Sequence, residues 1–176
     1  MNLELLKKPL SISDIDFRIQ SINNGGYATI LAYKDARVDM QRLDEVFGVF
    51  GWQRKHDIID GRLYCSIGVY NSETKEWIWK QDVGTESNTE KEKGQASDSF
   101  KRACFNLGIG RELYDYPIIQ VKLNDTEFDK TTKKTTFNFK LKEWKWFSQF
   151  ENNKLTYLGC KDNNGVVRFQ YGTYKK

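Results

Sequence analysis

Residues 89–117, TEKEKGQASDSFKRACFNLGIGRELYDYP, decide the fold of this 176-residue chain. Five apolar residues of this stretch fall on one narrow stripe of a helix, which predicts a helix packed on one side: Ala96, Phe100, Ala103, Cys104 and Leu107. Lys101 and Arg102 flank the opposite side, with Phe105 between them. An outward aromatic ring between two cations favours a stacking platform beside a phosphate track. The alternative is a surface helix whose Phe105 is covered by another segment or by a neighbouring subunit.

A second amphipathic pattern lies upstream, after a turn signal at residues 23–26 and a β-rich segment at 27–33. Asp35 is a good N-cap for a helix over residues 36–50, whose apolar positions recur at steps of four and three: Ala36, Met40, Leu43, Phe47 and Phe50. Arg37 lies in the first turn, where a cation opposes the helix dipole by roughly a few tenths of a kcal/mol. This placement indicates a use for Arg37 outside the helix, with a salt bridge as the simpler alternative.

Between the two helices the apolar residues alternate, which predicts a three-stranded meander over residues 52–59, 63–69 and 77–83. Asp60-Gly61 is a strong signal for a two-residue hairpin turn, and residues 71–76 form a polar turn. Trp77 and Trp79 are predicted to pack in the core or on the sheet face rather than to serve as ligand platforms. The predicted fold class is α+β, an antiparallel β-meander packed on a long helix (β-β-β-α).

The chain changes character after Pro117. The pattern predicts a strand at residues 118–123 and a polar flexible loop at 124–136. It then predicts a strand with one lysine-rich face at 137–142 and a terminal hairpin at 154–171. The turn of the hairpin is predicted at Asn163-Asn164-Gly165. We therefore expect a core at residues 1–117 and a β-rich C-terminal extension at residues 118–176.

The charge of the chain supports a nucleic-acid partner only weakly. Its net charge is +4, with 16 basic and 16 acidic residues in 1–111 and 12 and 8 in 112–176. The case for such a partner therefore depends on where individual cations lie.

The cysteines indicate a reduced, cytoplasmic setting. Cys65, Cys104 and Cys160 are far apart and form no Cys-x-x-Cys pair, so neither a disulfide framework nor a zinc site is expected. Cys65 and Cys104 are predicted to be buried thiols. We identify no signal peptide and no apolar run of membrane length.

No catalytic constellation is found in the sequence, so we do not expect an enzyme. His56 is the single histidine, and nothing around it resembles a nucleophile elbow. Gly108-Ile109-Gly110 ends a helix instead of opening one, unlike a dinucleotide-binding loop, and there is no Walker loop for ATP. Acidic residues around a metal remain an alternative of low specificity, with Asp57, Asp60 and Asp82 as the candidates for a nuclease-like site.

Binding is the function that remains. Arg37 lies at the start of one helix, and Lys101 and Arg102 lie on another. Four further cations are plausible neighbours of this set: Arg54, Lys55, Lys93 and Arg111. If these residues neutralise phosphates of single-stranded DNA, affinity falls steeply with salt.

Several ordered motifs carry a family resemblance over about residues 14–117. The most specific is ASDSFKRA at 96–103, followed after four residues by GIGRELY at 108–114. Further matches are DIDFR at 14–18, LAY at 31–33, Ala36-Arg37, LDEVFG at 43–48, Gly51-Trp52 and Asp82-Val83-Gly84. The sequence thereby resembles the Rad52 superfamily of single-strand annealing proteins, particularly its short bacteriophage members.

The resemblance implies an oligomeric ring or helical filament that carries single-stranded DNA in a positively charged groove. Such a protein anneals complementary strands in recombination and repair without ATP or another cofactor. Lys101 and Arg102 occupy the Lys-Arg pair that contacts the DNA backbone, and Arg37 occupies the arginine that opens the first helix. Phe105 stands where eukaryotic members have a further basic residue. Residues 130–176 are not accounted for.

Further expectations follow from the phage-type resemblance. They are a location in the cytoplasm of a bacterial host and partnership with an exonuclease or a host single-strand binding protein. Two rival functions remain open, a strand-end protector that does not promote pairing and a metal-dependent nuclease.

Overall fold

The structure, a computed structural model, describes residues 2–85 and 91–175, and of residues 91–93 it describes the backbone alone. The chain divides into two compact units. We call Met1–Pro9 with Lys34–Arg111 the meander unit, and Leu10–Tyr33 with Glu112–Lys176 the terminal unit. The described residues form three α-helices and three antiparallel sheets of three strands each, which confirms the predicted α+β class.

The elements follow the chain in this order. The helices are α1 Glu4–Lys7, α2 Ala36–Phe47 and α3 Lys91–Leu107. The strands are β1 Ile15–Ile22, β2 Tyr27–Lys34, β3 Trp52–Ile59, β4 Arg62–Asn71, β5 Glu76–Val83, β6 Ile119–Lys122, β7 Lys145–Glu151, β8 Lys154–Lys161 and β9 Val167–Gly172. The sheets have the orders β1-β2-β6, β3-β4-β5 and β7-β8-β9. The sequence predicted all of these strands except β1 and β7.

Helix α2 begins at the predicted residue and ends earlier than predicted. The Asp35 carboxylate accepts a hydrogen bond of 2.8 Å from the backbone N–H of Arg37, as an N-cap should. Gly48 has φ of 75°, a conformation that turns the chain out of the helix after Phe47. Phe50 is 96% exposed, so its assignment to the apolar stripe was wrong.

The meander β3-β4-β5 forms as predicted. Asp60 and Gly61 have φ of 51° and 73°, and two successive positive φ angles are what the tight hairpin turn requires. Cys65 and Ile67 of β4 are fully buried, and side chains from α2 and α3 lie in the same apolar cluster: Leu43, Phe100, Ala103 and Cys104. The centre of the predicted α3 stripe is therefore buried.

The tryptophans of β5 lie on the other side of the meander. Trp77 and Trp79 are 38% and 43% exposed, so of the two predicted placements the sheet face is confirmed and the core is not. The register explains this, because Trp79 pairs with Gly68, which neighbours the buried Ile67 and so faces the opposite way. The centroids of the Trp77 and Tyr70 rings are 5.5 Å apart.

All three cysteines are buried free thiols, as predicted for Cys65 and Cys104. Burial raises the pKa of Cys65 to about 11 and the pKa of Cys160 to about 12.

The terminal unit is built from β1-β2-β6 and β7-β8-β9, which contribute side chains to one apolar cluster. The terminal hairpin of β8 and β9 confirms its prediction. Residues 137–142 were predicted as a strand, and this was wrong. They form a turn that leads into a 3-10 helix at Leu141–Glu143, and Phe137 is 86% exposed.

The polar segment 124–136 contains no regular strand or helix, and it is anchored by one apolar residue. Phe128 is 5% exposed within the apolar cluster of the terminal unit.

The division of the chain into these two units differs from the consecutive division that we expected between residues 117 and 118. Because β6 pairs with β2, residues 10–33 group with residues 112–176.

Candidate nucleic-acid interface

Arg37 lies in the first turn of α2, with its side chain 87% exposed. Its Nε donates a hydrogen bond of 2.8 Å to the same Asp35 oxygen that caps the helix. The hydrogen bonds from Arg37 hold the pKa of Asp35 below its usual range, and the charge of Lys101 contributes in the same direction. The charges of Arg37 on α2 and Lys101 on α3 thus both favour the ionised form of the Asp35 carboxylate.

A buried ion pair lies next to the start of α2. The Lys34 ammonium at the end of β2 donates to the Asp39 carboxylate of α2, and both side chains are at most 1% exposed. The same ammonium lies 3.5 Å from the backbone carbonyl of Lys101, to which it donates. Lys34 and Asp39 thus tie the start of α2 to the middle of α3.

The Asp39 carboxylate is under strong desolvation. Burial raises its pKa to about 6, although the charge and hydrogen bond of Lys34 act in the opposite direction. Its second oxygen, Oδ2, is buried and has no hydrogen-bond partner among the described residues. The pair is therefore costly to keep buried, and it fixes the geometry of the helix pair more than it stabilises the fold.

Phe105 is half-buried, and its ring lies over the Lys34 ammonium at 4.3 Å from the ring centroid. This distance is within the range of a cation–π interaction. The ring that we predicted to face outward between two cations therefore has a contact with a third cation inside the unit.

Arg102, the neighbour of Lys101, points to a different partner. Its Nε lies 3.2 Å from the Asp82 carboxylate of β5, and its side chain is 40% exposed. Asn106 donates to the other oxygen of the same carboxylate at 3.3 Å. A partly exposed pair of this kind contributes about 0–1 kcal/mol, so a phosphate can replace Asp82 at little cost.

The remaining predicted residues are dispersed over the meander unit. Arg54 lies on the α3 side of the meander, with its guanidinium 4.8 Å from the Phe100 ring centroid. Lys55 is on the opposite side, 3.5 Å from Asp57. Arg111 donates twice to the Phe105 carbonyl at the end of α3. The side chain of Lys93 lies outside the described part of the chain.

The sequence prediction missed Lys34 and Asp39. A signal for Asp39 was present, since it stands on the apolar side of α2 between Ala36 and Leu43. A carboxylate at such a position needs a buried partner. The identity of that partner depends on tertiary contacts.

Within residues 2–85 and 91–175, no three side chains of histidine, cysteine, aspartate or glutamate are grouped so as to hold a metal ion. Among the helices that the structure describes, none has the length and apolar character needed to cross a membrane.

Comparison with known proteins identifies the family. The model of the Rad52/22 family double-strand break repair protein matches residues 2–132. The chain belongs to the Rad52/22 family. The match covers the meander unit from residue 2 onward and ends before β7, so the last three strands have no counterpart in it.

A curated relative points in the same direction. The single-stranded DNA-binding protein DdrA of Deinococcus radiodurans is 34% identical to this chain over 92 residues. The aligned part is 51% of this chain and 43% of DdrA, so the chain spans less than half the length of that relative.

Proposed function

We propose that this protein binds the backbone of single-stranded DNA through Arg37, Lys101 and Arg102 and anneals complementary strands without ATP. Membership of the Rad52/22 family supports a role in recombination and repair. The similarity to a single-stranded DNA-binding protein supports the ligand. The observation that carries the proposal is the Lys34 ammonium, which donates both to Asp39 in the helix that has Arg37 in its first turn and to the carbonyl of Lys101, and so holds the two cation-bearing helix segments together.

The chemistry of the proposed site is electrostatic. Phosphate contacts carry no sequence information, so binding is independent of sequence and the base edges stay available for pairing. Annealing by this route requires no catalytic residue. The cations of one subunit are few, and an oligomeric ring or filament extends them into a continuous track with high avidity.

One assay tests the proposal. Fluorescent complementary oligonucleotides are mixed with the protein, without ATP and with or without magnesium. We expect accelerated pairing that does not need magnesium. Binding with slowed pairing would instead indicate strand protection, and cleavage that depends on magnesium would indicate a nuclease.

The site assignment has its own test. Lys101→Ala combined with Arg102→Ala should weaken binding at moderate salt and make the log–log salt slope less negative by roughly 0.7 for each phosphate that is no longer neutralised. Lys154→Ala combined with Lys161→Ala removes the same charge from exposed positions of β8 and serves as the matched control. Equally weakened binding in both double variants would show that net charge alone governs affinity.

A further inference from the structure

The meander has a second face that the proposed backbone site leaves unused. Residues that pair across antiparallel strands point to the same side of a sheet, so the register places these residues together on the side opposite α3: Lys55, Ser66, Gly68, Tyr70, Trp77, Trp79 and Gln81. We call this set the outer face. Its three large aromatic side chains are 37–43% exposed. So much exposed aromatic surface on one sheet face marks a binding surface more often than a solvated one.

Trp79 lies flat on this face because its cross-strand partner is a glycine. A Cβ built on Gly68 would meet three carbons of the indole ring at 2.9–3.0 Å. One face of the indole therefore rests on the backbone of β4, and Trp79 remains 43% exposed. A flat, supported aromatic ring is the geometry on which a nucleobase stacks.

Polar groups surround the indole. Lys55, Ser66, Trp79 and Gln81 line a shallow depression of about 350 Å³. The Lys55 ammonium lies 5.5 Å from the centroid of the Trp79 ring and 3.5 Å from the Asp57 carboxylate. The Gln81 amide donates to the Ser66 hydroxyl at 3.1 Å. The depression thus combines a stacking surface with a cation for a phosphate.

We propose that the outer face is a second contact for single-stranded DNA, where a base stacks on Trp79 and Lys55 neutralises the adjoining phosphate. The polar groups favour a nucleotide over a second copy of this chain. A copy packed on this face would bury Lys55, Asp57 and Gln81 beside Trp79, which is costly unless each finds a partner. This inference rests on the proposed single-stranded DNA binding and adds a contact with the bases to the contacts with the backbone.

The test compares two strands of equal length and charge. One is oligothymidylate, and the other carries abasic tetrahydrofuran units in place of the nucleosides. We expect the wild-type chain to prefer the base-bearing strand in fluorescence anisotropy at moderate salt. Trp79→Ala should weaken binding of that strand by roughly five-fold or more and leave the abasic strand within about two-fold.

Three further variants keep the result interpretable. Trp79→Phe retains a ring and should retain most of the preference for bases. Gly68→Ala displaces the indole without removing it, and should reduce the preference. Phe50→Ala deletes a ring that is 96% exposed elsewhere in the meander unit, and should change nothing. Thermal unfolding of each variant verifies that the fold is retained.

The outcomes separate this inference from the proposed function. Equal affinity of the wild-type chain for both strands, or equally weakened binding of both strands by Trp79→Ala, would overturn the inference. Weakened binding of the abasic strand by the Lys101 and Arg102 double variant tests the backbone site independently. If Trp79→Ala changes the molar mass in light scattering while the preference for bases persists, the outer face is a contact between subunits and the inference is wrong.

Discussion

The two units each contain an arginine held by a carboxylate, and the two arginines differ in exposure. In the meander unit the side chains of Arg37 and Asp35 are 87% and 44% exposed. In the terminal unit the side chains of Arg168 and Glu127 are 8% and 11% exposed. An exposed pair contributes about 0–1 kcal/mol and can exchange partners, whereas breaking a buried pair costs several times more. Solvent exposure therefore distinguishes a cation that can bind a phosphate from one that stabilises the fold.

Arg168, the buried arginine of the terminal unit, is held by several hydrogen bonds. Its two terminal nitrogens donate to both oxygens of Glu127 at 2.9 and 2.7 Å, to Asp162 at 3.2 Å and to the Lys122 carbonyl at 3.0 Å. Its guanidinium also lies 4.7 Å from the centroid of the Trp144 ring. Burial would raise the pKa of Glu127, but the hydrogen bonds from Arg168 and from the backbone N–H of Asn124 outweigh it and hold the pKa below its usual range.

The largest effect is expected from Arg168→Met. The substitution leaves Glu127 and Asp162 without their counter-ion, so the terminal unit should lose about 3 kcal/mol of stability in urea unfolding followed by circular dichroism. Lys175→Met is the matched control, because its pair with Glu151 has side chains 68% and 52% exposed. The destabilisation by this control should stay below about 1 kcal/mol. Equal destabilisation by the two variants would contradict the distinction by exposure.

Asp39 in the meander unit and Glu127 in the terminal unit should also affect stability in opposite directions as pH changes. The pKa of Asp39 is raised to about 6 in the folded protein, compared with 3.8 for an unperturbed aspartate. Asp39 therefore binds a proton more tightly in the folded protein than in the unfolded chain. Its contribution to stability is full below pH 3.8 and is lost as pH rises through about 6, with a total of about 3 kcal/mol. The pKa of Glu127 is lowered in the folded protein, so its contribution to stability has the opposite pH dependence and is lost as pH falls.

Hydrogen exchange measured by peptide separates these two responses. Protection of α2 and α3 should decrease between pH 4 and pH 7, after correction for the intrinsic exchange rate. The double variant Lys34→Met with Asp39→Leu removes both buried charges and should abolish this change. If the double variant keeps the same pH dependence, Asp39 is not its source.

The sequence predicted the elements whose signals are local. The Asp60-Gly61 turn, the alternation in β4 and the glycines after Leu107 fix the meander and the end of α3 without any distant contact. β7 was missed because its apolar residues do not alternate cleanly with polar ones. Most of its side chains are accordingly half-buried, without a clearly buried and a clearly exposed face. The false strand at residues 137–142 shows the converse, since an alternating pattern forms a strand only where a neighbouring strand pairs with it.

For the candidate site, the sequence predicted individual cations but not their arrangement. Arg37 and Lys101 were identified from their positions on two helices. The link between the two helices is the Lys34 ammonium, which donates to a carbonyl 67 residues away in the chain. Lys55 and Arg54 are adjacent in sequence and lie on opposite sides of the meander, a separation that only the strand register determines.

Arg37→Ala should produce an intermediate effect, on binding rather than on stability. Removing one charge-assisted hydrogen bond to a phosphate should cost about 1.5 kcal/mol of single-stranded DNA affinity. The salt slope should become less negative by roughly 0.7. The melting temperature should hardly change, because the Asp35 cap bonds to the backbone of residue 37 and survives the substitution. Lys154→Ala is the control, and a similar decrease in affinity there would indicate an unspecific charge effect.

The smallest effect is expected from Phe105→Leu, and its nature distinguishes three roles for the ring. If the ring mainly covers the Lys34 ammonium at 4.3 Å, leucine should fill most of the volume and cost about 1 kcal/mol of stability, with unchanged affinity for single-stranded DNA. If it instead stacks a base, affinity should fall while stability is retained, and the decrease should be confined to base-bearing strands. If it contacts a neighbouring subunit, the molar mass in light scattering should decrease. We expect the first result, because the Lys34 ammonium is buried and the Phe105 ring compensates part of its lost hydration. A solvated base gains less from contact with the same ring.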